Sequence, residues 1–295
     1  MPLVSVREIL KDAEDRKYAV GYFEAWDYGS LDLTVKAAEE AKLPVIIGFG
    51  GRSFKTPFGW DEVKLASFAS MGKIMAQSSS VPTAFILNEV SDLEIIKKGM
   101  RLGFNCVMFD GSSLSLEENI ELTRKVVKEA AKIGINVEGQ VGRIPSAGEK
   151  IDKNFLTSPQ EAASFVEKTG VSALAISVGN IHMATDEKSP IDLDLLEEIN
   201  RLTSVPLVMH GGTGFPDALI NEVASRGVCK FNVGTILKET FLKQLKKTLG
   251  EVDLGEANFQ ELVGSSSEVD IFKKGYSAVK EVVKEKLKLY SSTMI

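Results

Sequence analysis

The chain has 295 residues, 44% of them hydrophobic and 26% charged, with a formal net charge of −6. This composition predicts a globular protein with a sizeable core, and the acidic balance excludes nucleic acid as the main partner. No apolar run approaches the roughly 18 residues that a membrane span requires, and the first residues lack the basic and apolar regions of a signal peptide.

In chain order, the first short apolar runs are Tyr18–Phe23, Pro44–Phe49, Thr83–Leu87 and Cys106–Phe109. Several of these runs lack clean alternation, as expected of strands covered on both faces. The segments between the runs read as helices. The clearest follows Cys106–Phe109: residues 114 to 133 have helical spacing, with Ser115 as N-cap three residues before Glu118 and Gly134 as the stop. Next come the run Asn136–Val141 and a helix opened by Ser158 with Pro159 at its first position. The run Ala173–Val178, a helix over 192 to 202, the run Pro206–Met209, a helix over 216 to 226 and the run Cys229–Val233 complete the alternation. Residues 251 to 268 read as irregular, with a loop at Gly264–Ser267, and a last helix spans about 271 to 289. Eight βα units predict a (β/α)8 barrel with an extra C-terminal helix, in one domain over 1–295. A doubly wound open sheet is the alternative. Cys106 and Cys229 lie far apart inside strand-like runs and read as buried free thiols, which implies a reducing, cytoplasmic setting.

Both histidines of the chain, His182 and His210, close apolar runs. Each alone reads as a half-buried loop residue. Two imidazoles at two strand ends, with a carboxylate as third donor, match a common catalytic metal site with one open position. In a (β/α)8 barrel such strand ends form the active face, and here they collect a polar set: Glu24, Asp27, Asn88, Glu89, Asp110, Glu138, Gln140, Asn180, His182, His210 and Asn232. Gly211-Gly212-Thr213-Gly214 and Asn232-Val233-Gly234-Thr235 follow the seventh and eighth runs, where backbone N–H groups commonly bind phosphate. Each also fits ordinary glycine turn chemistry. Arg52 and Arg143 stand in candidate βα loops, either as anion ligands or as solvated side chains.

The stretches Val107–Ile120, Ser158–Gly170, Ser204–Pro216 and Gly227–Val233 resemble the class II (metal-dependent) fructose-bisphosphate and tagatose-bisphosphate aldolases. The likeness runs from about Tyr18 to Thr235 and extends to the C-terminal helix. It implies a (β/α)8 barrel and a divalent metal, zinc first, with manganese, cobalt or iron as alternatives. It further implies a sugar phosphate as substrate and a homodimer or homotetramer. The resemblance makes His182 and His210 metal ligands, Gly211, Gly212 and Thr213 a phosphate loop, and Asn232, Val233, Gly234 and Thr235 a second substrate segment. Asp110 corresponds to an acidic residue that holds a second metal.

The departures from the family pattern are as informative. The family's Leu-Asp-His, whose Asp is the acid/base and whose His is the third metal ligand, is here Leu87-Asn88-Glu89. Asn88 cannot exchange a proton at working pH, whereas Glu89 is a sound metal ligand or a replacement base. Glu24 and Glu138 are further candidates for acid/base work. Gln140 stands where the family has a potential second-metal ligand. Met183 replaces a glycine near the substrate phosphate, and Glu24 replaces an asparagine. A family lysine beyond the middle histidine falls near Asp186, with Lys188 as a substitute. Three functions follow as expectations. The first is an aldolase-like lyase that cleaves a ketose phosphate or bisphosphate through a metal-stabilised enediolate. The second is a metal-dependent epimerase of a ketose or sugar acid. The third is a catalytically silent sugar-phosphate-binding homologue.

Overall fold

The computed structural model describes residues 3–150, 152–183 and 190–293. Eight parallel strands close into a barrel in sequence order: β1 Val20–Glu24, β2 Val45–Gly50, β3 Thr83–Val90, β4 Cys106–Phe109, β5 Asn136–Val141, β6 Ala173–Ile176, β7 Leu207–Met209 and β8 Val228–Val233. Strand β8 pairs with β1 (Tyr22 with Asn232), so there is no sheet edge and the open-sheet alternative is excluded. All eight predicted strands are present within two residues at each end, save the end of β3, which runs three residues further.

Alternation divides the apolar residues into two cores. Phe23, Ile47, Phe85, Leu87, Val107, Ile176, Met209, Phe231 and Val233 face outward onto the helices. Tyr22, Ile46, Ile86, Met108, Ala175 and Val208 fill the barrel, whose lower end is closed by the N-terminal helix α1 (Val6–Arg16) through Val6, Ile9, Leu10 and Ala13. The outer helices are α2 (Tyr28–Ala41), α3 (Glu62–Ser78), α4 (Leu93–Leu102), α5 (Leu116–Ala131), α6 (Pro159–Thr169), α7 (Leu193–Leu202), α8 (Ile220–Ser225) and α9 (Thr235–Gly250). Ser115 and Glu118 form a capping box on α5, and Ser158 caps α6 with Pro159 in its first turn, as the sequence predicts.

Two predicted elements differ. The helix expected over 216 to 226 opens with a 3₁₀ turn at Asp217–Leu219, and only Ile220–Ser225 is α-helical. Within the irregular stretch a short helix, α10 (Phe259–Leu262), forms under an Asn258 cap. A ribbon of Lys55–Thr56 with Gly59–Trp60 follows β2. The last helix, α11 (Ile271–Tyr290), packs on α2 and α9. Gly29 and Gly275 there leave room for the rings of Tyr276 and Phe241, and Tyr290 stacks on Phe231 at 4.7 Å. No helix among the described residues is long and apolar enough to cross a membrane.

Candidate metal centre

The polar side chains converge at the C-terminal ends of the strands. His210 follows β7 directly; Val208 faces the barrel and Met209 faces out, so His210 again faces in, and it is fully buried. Its carbonyl accepts from the Asn180 amide at 3.1 Å, and the Asn180 Oδ1 accepts from Val178 N–H at 2.9 Å. Asn180 is therefore a brace for the β6–β7 loops. His182 is held by a bridge to Ser146, with its N–H on the Pro145 carbonyl at 2.8 Å and its carbonyl taking the Ala147 N–H at 2.8 Å.

Glu89 reaches the same point by a different device. Strand β3 pairs Leu87 with Val107 and then Val90 with Phe109, so one extra residue is inserted. Glu89 has φ 52°, a left-handed conformation that costs a β-carbon-bearing residue about 1–2 kcal/mol. By plain alternation Glu89 would follow Leu87 outward. The bulge turns it inward, beside Asn88.

Glu89, His182 and His210 place their ligand atoms all within 4.8 Å of one another. Glu89 Oε1 lies 3.1 Å from His210 Nδ1, and the two imidazole centroids are 5.6 Å apart. Burial and the neighbouring His210 charge push His182 down to about 4. Burial also disfavours the His210 cation, but its hydrogen bonds to Glu138 and Glu89 outweigh it and raise His210 to about 9. Burial would raise the Glu89 carboxyl; the hydrogen bond and charge of His210 instead hold it at about 2. The cluster thus offers one neutral imidazole, one ionised carboxylate and one imidazole that gives up a proton to bind a cation.

The remaining predicted residues divide. Asn88 is buried at the end of β3, and its Oδ1 has no hydrogen-bond partner. Glu138 lies behind His210: one oxygen is 3.1 Å from His210 Nε2 and the other is paired with Lys230, so it has no free face toward a substrate. Gln140 donates to the Gly142 carbonyl at 3.2 Å, and Asp110 accepts from the Ser112 hydroxyl at 2.6 Å. Both are spent on their own loops, and neither joins the three-residue cluster. Asp27 caps α2 and accepts from the Tyr276 hydroxyl at 2.7 Å, a fold contact. Asp186 and Lys188 lie outside the described residues.

The two loops are neighbours. Gly211 has φ 76°, and a β-carbon there would strike the Ile181 carbonyl. Gly212 to Gly214 form a 3₁₀ turn, and the Thr213 hydroxyl accepts from the Ile236 N–H at 3.2 Å, joining this loop to the first turn of α9. Gly234 caps α9 and Thr235 begins it, so amides at that helix start lie beside Gly211–Thr213. The Val233 side chain is packed in the outer core, which leaves only its backbone for a substrate. Asn232 places its Nδ2 2.8 Å from His210 Nε2. Met183, at φ 59°, is half exposed in a conformation suited to glycine. Arg52 is exposed on a 3₁₀ turn after β2, and its charge acts on Glu89 and His182. Arg143 is instead paired with Glu149 and stacked on Phe155. Lys230, which strand-end reasoning misses, was visible as the residue two before Asn232 on the same face of β8.

The family model for class II fructose-bisphosphate aldolase matches residues 4–294. The chain belongs to the class II fructose-bisphosphate aldolase family. This aldolase-family chain is 32% identical over 296 residues to the sulfofructosephosphate aldolase of Alkalicoccus urumqiensis, covering 99% of this chain and 98% of that one. It is 34% identical over 251 residues to the probable fructose-bisphosphate aldolase of Bacillus subtilis (strain 168), covering 84% and 87%. The crystal structure of the YdjI aldolase from Escherichia coli K12 superposes with a TM-score of 0.81 at 32% identity, covering 99% of this chain and 98% of that one.

The family implies a divalent metal, and the donor set fits one. Ligands about 2.0–2.2 Å from a tetrahedral zinc ion lie roughly 3.3–3.6 Å apart. Donor atoms within 4.8 Å of one another reach that spacing by small side-chain adjustments. Two histidines with one glutamate leave the fourth position open.

Proposed function

We propose that this protein is a class II aldolase-type lyase that cleaves a ketose phosphate or bisphosphate with a divalent metal, zinc first, held by Glu89, His182 and His210. The observation that carries the reading is the convergence of these three side chains at the barrel mouth, beside the Gly211–Thr213 loop and the start of α9. The metal, when bound, supplies a Lewis acid for the ketose carbonyl. A ligand carboxylate in place of a third imidazole lowers the net charge of the centre.

The chain's own residues do the rest. Backbone amides of Gly211–Thr213 and Gly234–Thr235 anchor the phosphate. Asn88 presents a buried amide oxygen to a substrate hydroxyl and moves no proton. Of the three candidate acid/base carboxylates, Glu138 is enclosed and Glu89 is a ligand. Glu24, half-buried at the end of β1 between Gly50 and Gly234 and 2.5 Å from the Lys238 ammonium, is the one positioned to exchange a proton at the mouth.

Asn88 favours a second reading, since removal of the family base leaves carbonyl polarisation without the usual cleavage step. That reading is epimerisation of a ketose or sugar acid. A panel of ketose phosphates and bisphosphates separates the two. Cleavage releases triose or aldehyde, and His210→Ala and Glu24→Gln each lower its rate at least about 100-fold. Epimerisation gives solvent deuterium uptake and a new diastereomer without fragments. With fructose bisphosphate, Asn88→Asp raises cleavage if the site retains that substrate; no gain means the substrate itself differs. The family also suggests a dimer or tetramer, which light scattering measures.

A further inference from the structure

A closed pair of charges sits directly beneath His210. Glu138 on β5 and Lys230 on β8 both have fully buried side chains and are bonded to each other. Lys230 Nζ also lies 5.2 Å from the centroid of the Tyr22 ring. The second Glu138 oxygen is 3.1 Å from His210 Nε2, while His210 Nδ1 faces Glu89 at 3.1 Å on the opposite side of the ring. Both nitrogens face a carboxylate, but Glu138 is enclosed and acts only as an acceptor, whereas Glu89 is partly exposed and free to turn to a cation; when the ring gives up one proton, Nε2 therefore keeps its own and Nδ1 presents a lone pair. The Asn232 amide is consistent with this. Its nitrogen is placed 2.8 Å from His210 Nε2, and its Oδ1 is buried without a partner. Exchanging the two amide atoms, which have nearly the same shape, gives Nε2–H a second acceptor.

We propose that Glu138 and Lys230 are a positioning pair: they hold His210 as the Nε2–H tautomer, aiming its Nδ1 lone pair at the point shared by Glu89 and His182. Lys230 keeps the oxygen atoms of Glu138 divided between itself and the imidazole. This role rests on the metal reading of Glu89, His182 and His210. It also separates Lys230 from the amine nucleophile that a central barrel lysine suggests. With a fully buried side chain, ion-paired and beneath His210, Lys230 has no path to a substrate carbonyl.

Because the chain has two histidines, ¹⁵N-histidine NMR reads both rings directly. With zinc added to the wild-type protein, His210 is expected to show a protonated Nε2 and a metal-bound Nδ1. Binding through Nε2 overturns the positioning role alone, whereas failure of zinc to bind overturns the metal reading and this role with it. Variants give an independent readout by chelator competition. In Glu138→Gln the ammonium of Lys230 takes the amide oxygen, the amide NH₂ turns to His210, and zinc affinity falls about 10–100-fold. Glu138→Gln/Lys230→Met frees that oxygen and recovers most of the affinity. Glu138→Met/Lys230→Met, an apolar pair of similar volume, keeps the fold but not the affinity. Equal zinc affinity in the two double variants overturns the proposal, as does a borohydride-trapped substrate adduct on Lys230. Should Glu138→Gln fail to fold, the NMR of the wild-type protein remains decisive.

Discussion

Two non-glycine residues at the centre, Glu89 and Met183, have left-handed backbones at φ 52° and 59°. Met183 carries a side chain in a conformation suited to glycine; at Glu89 the conformation belongs to the bulge that aims the carboxylate. Gly211 shows the limit of such tolerance, because its β-carbon would meet a backbone carbonyl rather than a movable side chain. Gly211→Ala is therefore expected to cost at least about 1–2 kcal/mol in a denaturant melt and to displace His210 with it.

The titrating groups give a second expectation at this scale. His210, raised to about 9, adds stability that is fully present below its unfolded value of 6.5 and is lost as pH rises through 9. The amount is on the order of 3 kcal/mol for this fully buried ring. His182, depressed to about 4, acts in the opposite sense: folding is penalised as pH falls from 6.5 through 4. The loss from Glu89, held at about 2, begins only below its unfolded value of 4.5. Thermal melts of chelator-treated protein should peak near pH 6.5 and fall on both sides. Added zinc should flatten the alkaline fall, because the metal replaces the proton on His210.

Among the elements, the strands were legible and their irregularities were not. Unbroken apolar runs such as Pro44–Phe49 mark strands covered on both faces, and the cap chemistry of Ser115 and Ser158 marks helix starts. The bulges in β3 and β8 leave no local trace, because they are set by pairing with neighbouring strands. For that reason the sequence named Glu89 without showing how it turns inward, and it passed over Lys230 inside an apolar run. Glu138 was singled out as a strand-end carboxylate, but its enclosure depends on a residue 92 positions away. The C-terminal helix α11 shows what tertiary packing adds. Tyr290 is fully buried, is stacked on Phe231 and carries a hydroxyl without a partner. Tyr290→Phe should leave stability unchanged or raise it by about 1 kcal/mol, while Tyr290→Ala should lose about 3–5 kcal/mol in the same melt.

For the molecule as a whole, the barrel separates support from chemistry. The α1 end is sealed by apolar side chains, the middle holds Glu138 and Lys230 as a closed charge pair, and the mouth gathers the Glu89–His182–His210 cluster and the two glycine loops. The family's fold persists, with Asn88 and Glu89 side by side at the mouth of the barrel. The central claim is that Glu89 has taken the third histidine's place. It is tested most directly by metal stoichiometry from elemental analysis of the wild-type protein and of Glu89→Gln, His182→Ala and His210→Ala after zinc loading and desalting. The account predicts one zinc per wild-type chain and well under half that in each variant. A full zinc complement in Glu89→Gln, or none in the wild-type chain, would contradict it.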